Sequence, residues 1–570
     1  MSREVETATR SPRLFASLRG YRRDWLTKDL IAGLTVWAVL VPESLAYATI
    51  AGVSPVIGLY AAPAALILYA AFGSSRHLVT GPMAATAALS AAAVADLATD
   101  DADFLTFTVV LAVVTGLAAL IAGLLRLGFV ANFISEPVLK GFIIGLALTI
   151  IVGQLPKLFG MEGGEGDFFE KLWAWLTNLD ETHLPTLAVG LVSLAIVFAC
   201  REYVPKAPGP LIAVIFGIAA VALFDLDAQG VSIVGEIESG LPSLGLPDTT
   251  LDHYLGIAPA ALGVMLVGFA EGLGAGKTYA ARHHYEIDAN RELIGLGAAN
   301  LGAGISGGMV VNGSLSKTAV NGSAGAKSQM SGIVVAGLTI VTLLFLTALF
   351  ADLPEATLAA VVIAAIVELV DIDSLRKLYR AYSDRLGRIY GFAARPDFIA
   401  AIAAMLGVLI FDTLPGLFIG IAMSLFLMVY RISKPNIARL GIEPGTSVYV
   451  DTDRHPEATT AAGIEVLRVE SGLFFGNADF VRTHVRTLAA NKGARAVIID
   501  AETVPFVDVT SVKMLSELAE ELGRGGVRLG LAKDIGQVRD LLPESDEAGS
   551  VEIYYTIEEA VRAMSDKGVG

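Results

Sequence analysis

The chain has 570 residues, 54% of them hydrophobic and 17% charged, with a formal net charge of −16. Its mean hydropathy of +0.63 excludes a soluble multidomain enzyme and fits a polytopic membrane protein. Cys200 is the one cysteine, which rules out an intrachain disulfide and any cysteine-rich metal or iron–sulfur centre.

The segment 1–29 is polar and basic, carrying Arg3, Arg10, Arg13, Arg19, Arg22, Arg23 and Lys28. It shows no signal-peptide cleavage pattern and is expected to be retained. Apolar stretches long enough to span then recur from Leu30 to about Tyr430, roughly fourteen of them and several short. The loop 225–256 holds Asp225, Asp227, Glu236, Glu238, Asp248 and Asp252 but no Lys or Arg, and 155–184 is also mostly acidic. The loop 371–396 is basic, with Arg376, Lys377, Arg380, Arg385, Arg388 and Arg395. By the positive-inside rule both termini are cytoplasmic, which requires an even number of spans. Trp173 and Trp175 fall in the acidic outer segment, where interfacial anchoring explains them.

The composition changes near Arg431-Ile432-Ser433-Lys434-Pro435. Beyond it Val466–Val469, Ala496–Asp500 and Val527–Leu531 read as short strands, and Asn477–Ala490 and Ser511–Leu522 as helices. Alternating strands and helices over about 100 residues predict one small cytoplasmic α/β domain. The expected organisation is an N-terminal segment 1–29, a membrane domain 30–432, a linker with a first strand at 433–460, and the α/β domain at 461–570.

Within the membrane part, Val310–Asn321 places Lys317 among hydroxyls, amides and glycines. Such a segment survives at membrane depth only where it is buried in protein or lines a water-filled cavity, and the natural partner of its cation is an anion. Thr80-Gly81-Pro82-Met83-Ala84-Ala85-Thr86 begins a similar short, small-residue span. Breaks at matched places in two halves point to a transporter site at an inverted-repeat interface. An exposed helix N-terminus offers unpaired N–H groups and about half a positive charge. Two of them would form an anion cradle between Pro82-Met83-Ala84 and Leu315-Ser316-Lys317, with the Ser314 and Ser316 hydroxyls as further donors. Gly272, Gly274, Gly276, Gly307 and Gly308 are read as close-packing positions.

Glu43 and Glu271 each lie inside a span, two spans before a broken segment. Either can bind and release a proton, which would couple anion entry to an inward proton gradient. Glu271 is the stronger candidate, because Glu43 follows a proline and is expected nearer an aqueous vestibule. The structural alternative is a permanent Glu271–Lys317 ion pair that only orients helices. Glu271–Thr278 imitates a P-loop, but Glu271 stands at the first glycine position and no strand precedes it, so no nucleotide site is expected. His283 and His284 are read as solvated surface rather than a metal site.

Pro42-Glu43-Ser44-Leu45-Ala46-Tyr47-Ala48, followed by Gly52, Pro55 and Gly58-Leu59-Tyr60, resembles the signature of the sulfate permease (SulP) family, which includes prestin and animal anion exchangers. Asp288–Leu293 and Gly313–Ala319 resemble its second-half motifs, and Phe506–Ser511 the strand-to-helix turn of its STAS domain. The resemblance implies fourteen spans as two inverted seven-span repeats, a core domain sliding against a gate domain, and a homodimer. It places the anion among Glu43, Tyr47, Pro82, Met83, Glu271, Leu315, Ser316 and Lys317. The family often has Gln where this chain has Glu43, and Arg where it has Lys317, so a bidentate guanidinium contact is lost. In the STAS segment Val509 occupies the place of a phosphorylatable serine.

The expectation is proton-coupled symport of sulfate, bicarbonate or a C4-dicarboxylate by an elevator-like motion in a bacterial inner membrane, with no cofactor, metal or nucleic acid. Anion exchange and Na⁺ coupling through Glu271 stay open. So does an anion-sensing regulator acting through an unknown STAS partner. A hydrolytic enzyme is set aside, since no nucleophile–His pairing occurs within the spans.

Overall fold

The computed structural model describes residues 14–566, except positions 96, 99, 130–133, 165, 205, 206, 238, 368, 382–386, 388, 389, 412, 491, 492, 534, 535, 537–539 and 541–550. Arg3, Arg10, Arg13, Glu238, Arg385 and Arg388 therefore lie outside the described residues. The chain divides into two compact units, residues 1–379 with 397–423, and residues 380–396 with 424–570.

The first unit is helical. In chain order it runs α1 (Leu26–Ile50), α2 (Pro55–Phe72), β1 (Val79–Gly81), α3 (Ala84–Ala95), α4 (Asp101–Leu124), α5 (Glu136–Phe159), α6 (Phe168–Thr177), α7 (Leu184–Tyr203) and α8 (Gly209–Phe224). It continues with α9 (Leu251–Gly256), α10 (Ala258–Arg282), α11 (Ala289–Ile305), β2 (Asn312–Ser314), α12 (Leu315–Ser323), α13 (Met330–Val341), α14 (Glu355–Val367) and α15 (Ile372–Arg380). Next come α16 (Pro396–Phe411) and α17 (Thr413–Ser433), which leads into the second unit. Among the described residues eight helices are long and apolar enough to cross a membrane, from Arg23–Ile50 to Thr413–Ser433. Ala84–Ala95, Gly209–Phe224 and Pro396–Phe411 are shorter apolar helices.

Local chemistry sets the helix ends. The Asp100 carboxylate accepts the Asp103 N–H at 2.8 Å at the start of α4, and Asp288 accepts those of Asn290 and Arg291 at the start of α11. Asp167 and Glu170 form a reciprocal capping box on α6. That helix exposes Trp173, while Trp175 meets Phe159 edge-on at 5.2 Å. α11 packs on α2 and α4, α13 on α1 and α2, and α10 on α4 and β2. α14 packs on α5 and α7 and also touches α1. Small residues permit these approaches. A Cβ on Gly141 would stand 1.9 Å from the Ala401 carbonyl oxygen, and one on Gly308 2.5 Å from the Ala61 Cα. The packing role expected of five glycines holds for Gly272, Gly276 and Gly308. It fails at Gly274, which nothing approaches, and at Gly307, whose φ of +61° serves the turn after α11.

The second unit carries a six-stranded sheet. Its strands are β3 (Ile437–Ile442), β4 (Tyr449–Asp451), β5 (Ile464–Val469), β6 (Ala496–Asp500), β7 (Arg528–Ala532) and β8 (Glu552–Tyr554), in the order β4-β3-β5-β6-β7-β8. β5 through β8 are parallel, and β3 runs antiparallel to both of its neighbours. Helices α18 (Ala478–Ala489) and α19 (Val509–Arg524) cover one face through Val481, Val485, Leu515 and Leu518. Helix α20 (Ile557–Asp566) covers the other through Ile557, Ala560 and Met564. The three expected strands and two expected helices are present within two residues of their expected ends. β3 and β4 lie within 433–460, where a first strand is expected, while β8 and α20 are additional.

Candidate functional site

The two broken segments meet. β1 and β2 pair antiparallel, with Val79 opposite Ser314, Thr80 opposite Gly313 and Gly81 opposite Asn312. Each strand runs directly into a short helix, α3 or α12, and these leave the ribbon from its opposite ends. At about 1.5 Å per residue neither helix is long enough to cross a bilayer alone. The first N–H groups of each helix lack partners within the helix. At α12 the Ser314 hydroxyl accepts one of them, the Lys317 N–H, at 3.2 Å.

Lys317 ties this junction together. Its side chain is 1% exposed, and its Nζ donates to the Pro82 carbonyl at 3.1 Å, just before α3. The same Nζ forms an ion pair with Glu43 Oε2 at 2.7 Å and stands 4.9 Å from the centre of the Tyr47 ring. Glu43 and Tyr47 are four residues apart and so share one face of α1. The ammonium therefore joins α1, the break before α3, and α12. Glu43 is itself only 5% exposed, and its Oε2 has no aligned hydrogen bond besides this ionic contact. A buried ion pair of this kind is neutral as a whole, and removal of either partner strands the other charge.

Other expected residues surround the pair. Ser314 Oγ lies 3.1 Å from Ser316 Oγ, and Leu315 and Ser316 are exposed on the open side of the α12 terminus. Pro82 and Ala84 are buried and Met83 is half-buried at the start of α3. One structural alternative is excluded and one expectation is corrected. Glu271 does not pair with Lys317; its Oε2 accepts from Asn312 Nδ2 at 3.4 Å, because Lys317 points from α12 toward α1 while Asn312 of β2 meets α10. Glu43 is not in an aqueous vestibule but is the buried partner of the lysine.

Several residues that hold the site are not apparent from sequence. Thr318 Oγ1 accepts the Val79 N–H at 3.1 Å, and Asn321 Nδ2 donates to the His77 carbonyl at 2.9 Å, so α12 grips the strand that precedes α3. Gln329 Nε2 donates to the Ser75 and Leu78 carbonyls at 3.0 and 2.8 Å. Asn300 clamps Val311 through both backbone groups at 2.9 Å. All four are buried polar side chains, and Thr318 and Asn321 lie one or two helical turns past the break. Glu292, at the start of α11, is fully buried and accepts from Tyr69 Oη, Ser74 N, Ser74 Oγ and Ser75 N. His283 is exposed as expected, yet its ring stacks on buried His77 at 4.2 Å. Glu271–Thr278 is helical throughout, which leaves no phosphate-binding loop there.

Residues 26–389 match the sulfate permease family, and residues 455–560 match the STAS domain. The chain belongs to the sulfate permease family. Two probable sulfate transporters from strains of Mycobacterium tuberculosis are each 34% identical to it over 552 residues, covering 96% of this chain and 96% of theirs. The chloroplastic sulfate transporter 4.1 of Arabidopsis thaliana is 31% identical over 541 residues, covering 91% of this chain and 77% of its own. The fold is shared with SLC26A9, at a TM-score of 0.85 and 24% identity over 97% of this chain and 92% of that one. The transmembrane domain of a cyanobacterial bicarbonate transporter, BicA, superposes with a TM-score of 0.60 at 24% identity over 69% of this chain and 98% of its own. This family member is thus a multi-pass membrane anion transporter with a C-terminal STAS domain, and not an enzyme.

Proposed function

We propose that this sulfate permease family member performs proton-coupled symport of a small anion, with sulfate as the first substrate to test and bicarbonate or a C4-dicarboxylate as the others. The observation that carries the reading is the buried Glu43–Lys317 pair between the two broken segments. While that pair is intact, an anion entering beside Leu315 and Ser316 adds a charge that only the two helix N-termini offset. When Glu43 takes up a proton, Lys317 is left as the compensating cation beside the N–H groups of α3 and α12. Anion and proton then load together, and the loaded site is close to neutral.

The substrate site comprises Glu43, Tyr47, Pro82, Met83, Ala84, Ser314, Leu315, Ser316 and Lys317, with Glu271 on the Asn312 side as a second candidate coupling group, for a proton or Na⁺. Movement is elevator-like, with the helices packed around α1–α4 and α10–α13 carrying the site past those packed around α5, α7 and α14. Counting α11, α12 and α14 with the eight long and three shorter apolar helices makes about fourteen segments, which supports the proposed division into two inverted halves of seven spans. The working form is a homodimer in a bacterial inner membrane, with both termini and the STAS domain in the cytoplasm; the basic loop 371–396 and acidic loop 225–256 support that orientation.

Uptake of labelled sulfate, bicarbonate and fumarate into proteoliposomes, with and without an inward proton gradient, tests this reading. One anion should accumulate only with the gradient. Accumulation that ignores the proton gradient but follows a trans-side anion or Na⁺ would replace symport with exchange or sodium coupling. Removing residues 434–570 should leave measurable flux, whereas a regulator acting through its STAS domain would lose its output.

A further inference from the structure

The loop that opens α18 and the loop that opens α19 together present bulky apolar side chains to solvent. Phe475 is 75% exposed, Val509 80% and Phe506 49%. They belong to one patch, because the two loops run side by side. Leu473 N donates to the Phe506 carbonyl at 3.0 Å, Asp508 N to the Leu473 carbonyl at 3.1 Å, and Phe475 N to Asp508 Oδ2 at 2.8 Å. Leu473 and Val507 bridge in parallel, and the Phe506 ring lies over Gly472. A water-facing cluster of two phenylalanines and a valine marks an interaction surface.

The same loop is fastened to the end of a membrane span. Asn477 is fully buried, and its Nδ2 donates both to the Gly472 carbonyl at 2.8 Å and to the Ile432 carbonyl at 3.2 Å. Ile432 lies in the last turn of α17, whose 21 residues rise about 31 Å, close to the hydrocarbon thickness of a bilayer. The end of α17 therefore sits at a membrane surface. Phe475 is two residues from Asn477, so their Cα atoms are within about 7 Å. Lys434, one residue past the span, is exposed and adds a cation at the same level. Aromatic rings beside cations suit the headgroup layer of a bilayer.

We propose that the Phe475–Phe506–Val509 face of the STAS domain is a lipid-docking surface that rests in the headgroup–acyl boundary of the membrane crossed by α17. This contact would hold the start of α19, the turn at Asp508, against the membrane and out of reach of a soluble partner.

The single native cysteine makes the test direct. Full-length protein carrying Cys200→Ser and Phe475→Cys is labelled with an environment-sensitive fluorophore and reconstituted into nanodiscs of phosphatidylcholine and phosphatidylglycerol. The reference carries the label at Arg524→Cys, at the far end of α19, about 22 Å from Val509 by helix rise. Spin-labelled lipid bearing its nitroxide near the headgroup should quench the probe at 475 about twofold or more and leave the probe at 524 unchanged. Val509→Cys should behave like Phe475→Cys, and it serves if the first variant does not fold. An unquenched, water-like emission at 475 and 509 would overturn the proposal. So would a blue-shifted emission that lipid does not quench, since that identifies protein, a second copy or a soluble partner, as the cover.

Discussion

Glu43 and Glu292 are both buried carboxylates of the same helical unit, but they are held in different ways. Glu292 accepts four hydrogen bonds at 2.6 to 3.0 Å, two of them from backbone N–H groups, and no cation is paired with it among the described contacts. Glu43 Oε2 meets the Lys317 ammonium at 2.7 Å and, among the described residues, accepts no hydrogen bond. A carboxylate held by four donors is fixed in place; it fastens the start of α11 to the loop after α2. A carboxylate with one ionic partner can surrender that partner when it binds a proton. Hydrogen-bond satisfaction, more than burial, distinguishes the two carboxylates, and the proposed proton uptake rests on the less satisfied one.

That contrast can be broken most severely at Lys317. Lys317→Met should strand the Glu43 charge, abolish uptake and destabilise the protein by roughly 3–5 kcal/mol. Adding Glu43→Gln should recover most of the thermal stability in detergent without restoring uptake. A double variant as unstable as the single one would show that the ion pair is not the source of the loss.

Glu292→Gln should cost about 2–3 kcal/mol, because a donor amide replaces part of an acceptor-only site. The protein that remains folded should keep its dependence on the proton gradient. If unfolding is unaltered while the gradient dependence vanishes, the division between the two carboxylates is wrong.

The smallest effect is expected at Glu271, whose hydrogen bond from Asn312 is 3.4 Å long. Glu271→Gln should shift stability by less than about 1 kcal/mol and leave gradient-driven uptake in place. Loss of coupling in this variant, measured by uptake with and without the gradient, would transfer the proton-binding role from Glu43 to Glu271.

Much of this site is legible in the chain. Thr80-Gly81-Pro82 and Asn312–Lys317 mark the breaks, since polar and small residues inside apolar spans are costly in lipid and must face protein or a cavity. Glu43 and Tyr47 share a face at i and i+4, which is a local relation. The partner of Lys317 is not legible, because the choice between Glu43 and Glu271 depends on how α12 turns relative to α1 and α10. Glu292 is hidden for a related reason: its donors come from Tyr69, Ser74 and Ser75, more than 200 residues earlier, and in sequence it resembles an ordinary acidic first turn. In the second unit β5, β6 and β7 stand out as apolar runs. The outer strands β3, β4 and β8 do not, since each has at most one covered face or only three residues.

The most direct measurement is sulfate transport by Glu43→Gln in proteoliposomes, scored separately as gradient-driven accumulation and as counterflow at equal pH. The account predicts that counterflow survives while accumulation driven by an inward proton gradient is lost, because Lys317 is then permanently free to face the anion. Gradient-driven accumulation at the wild-type level in that variant would contradict it.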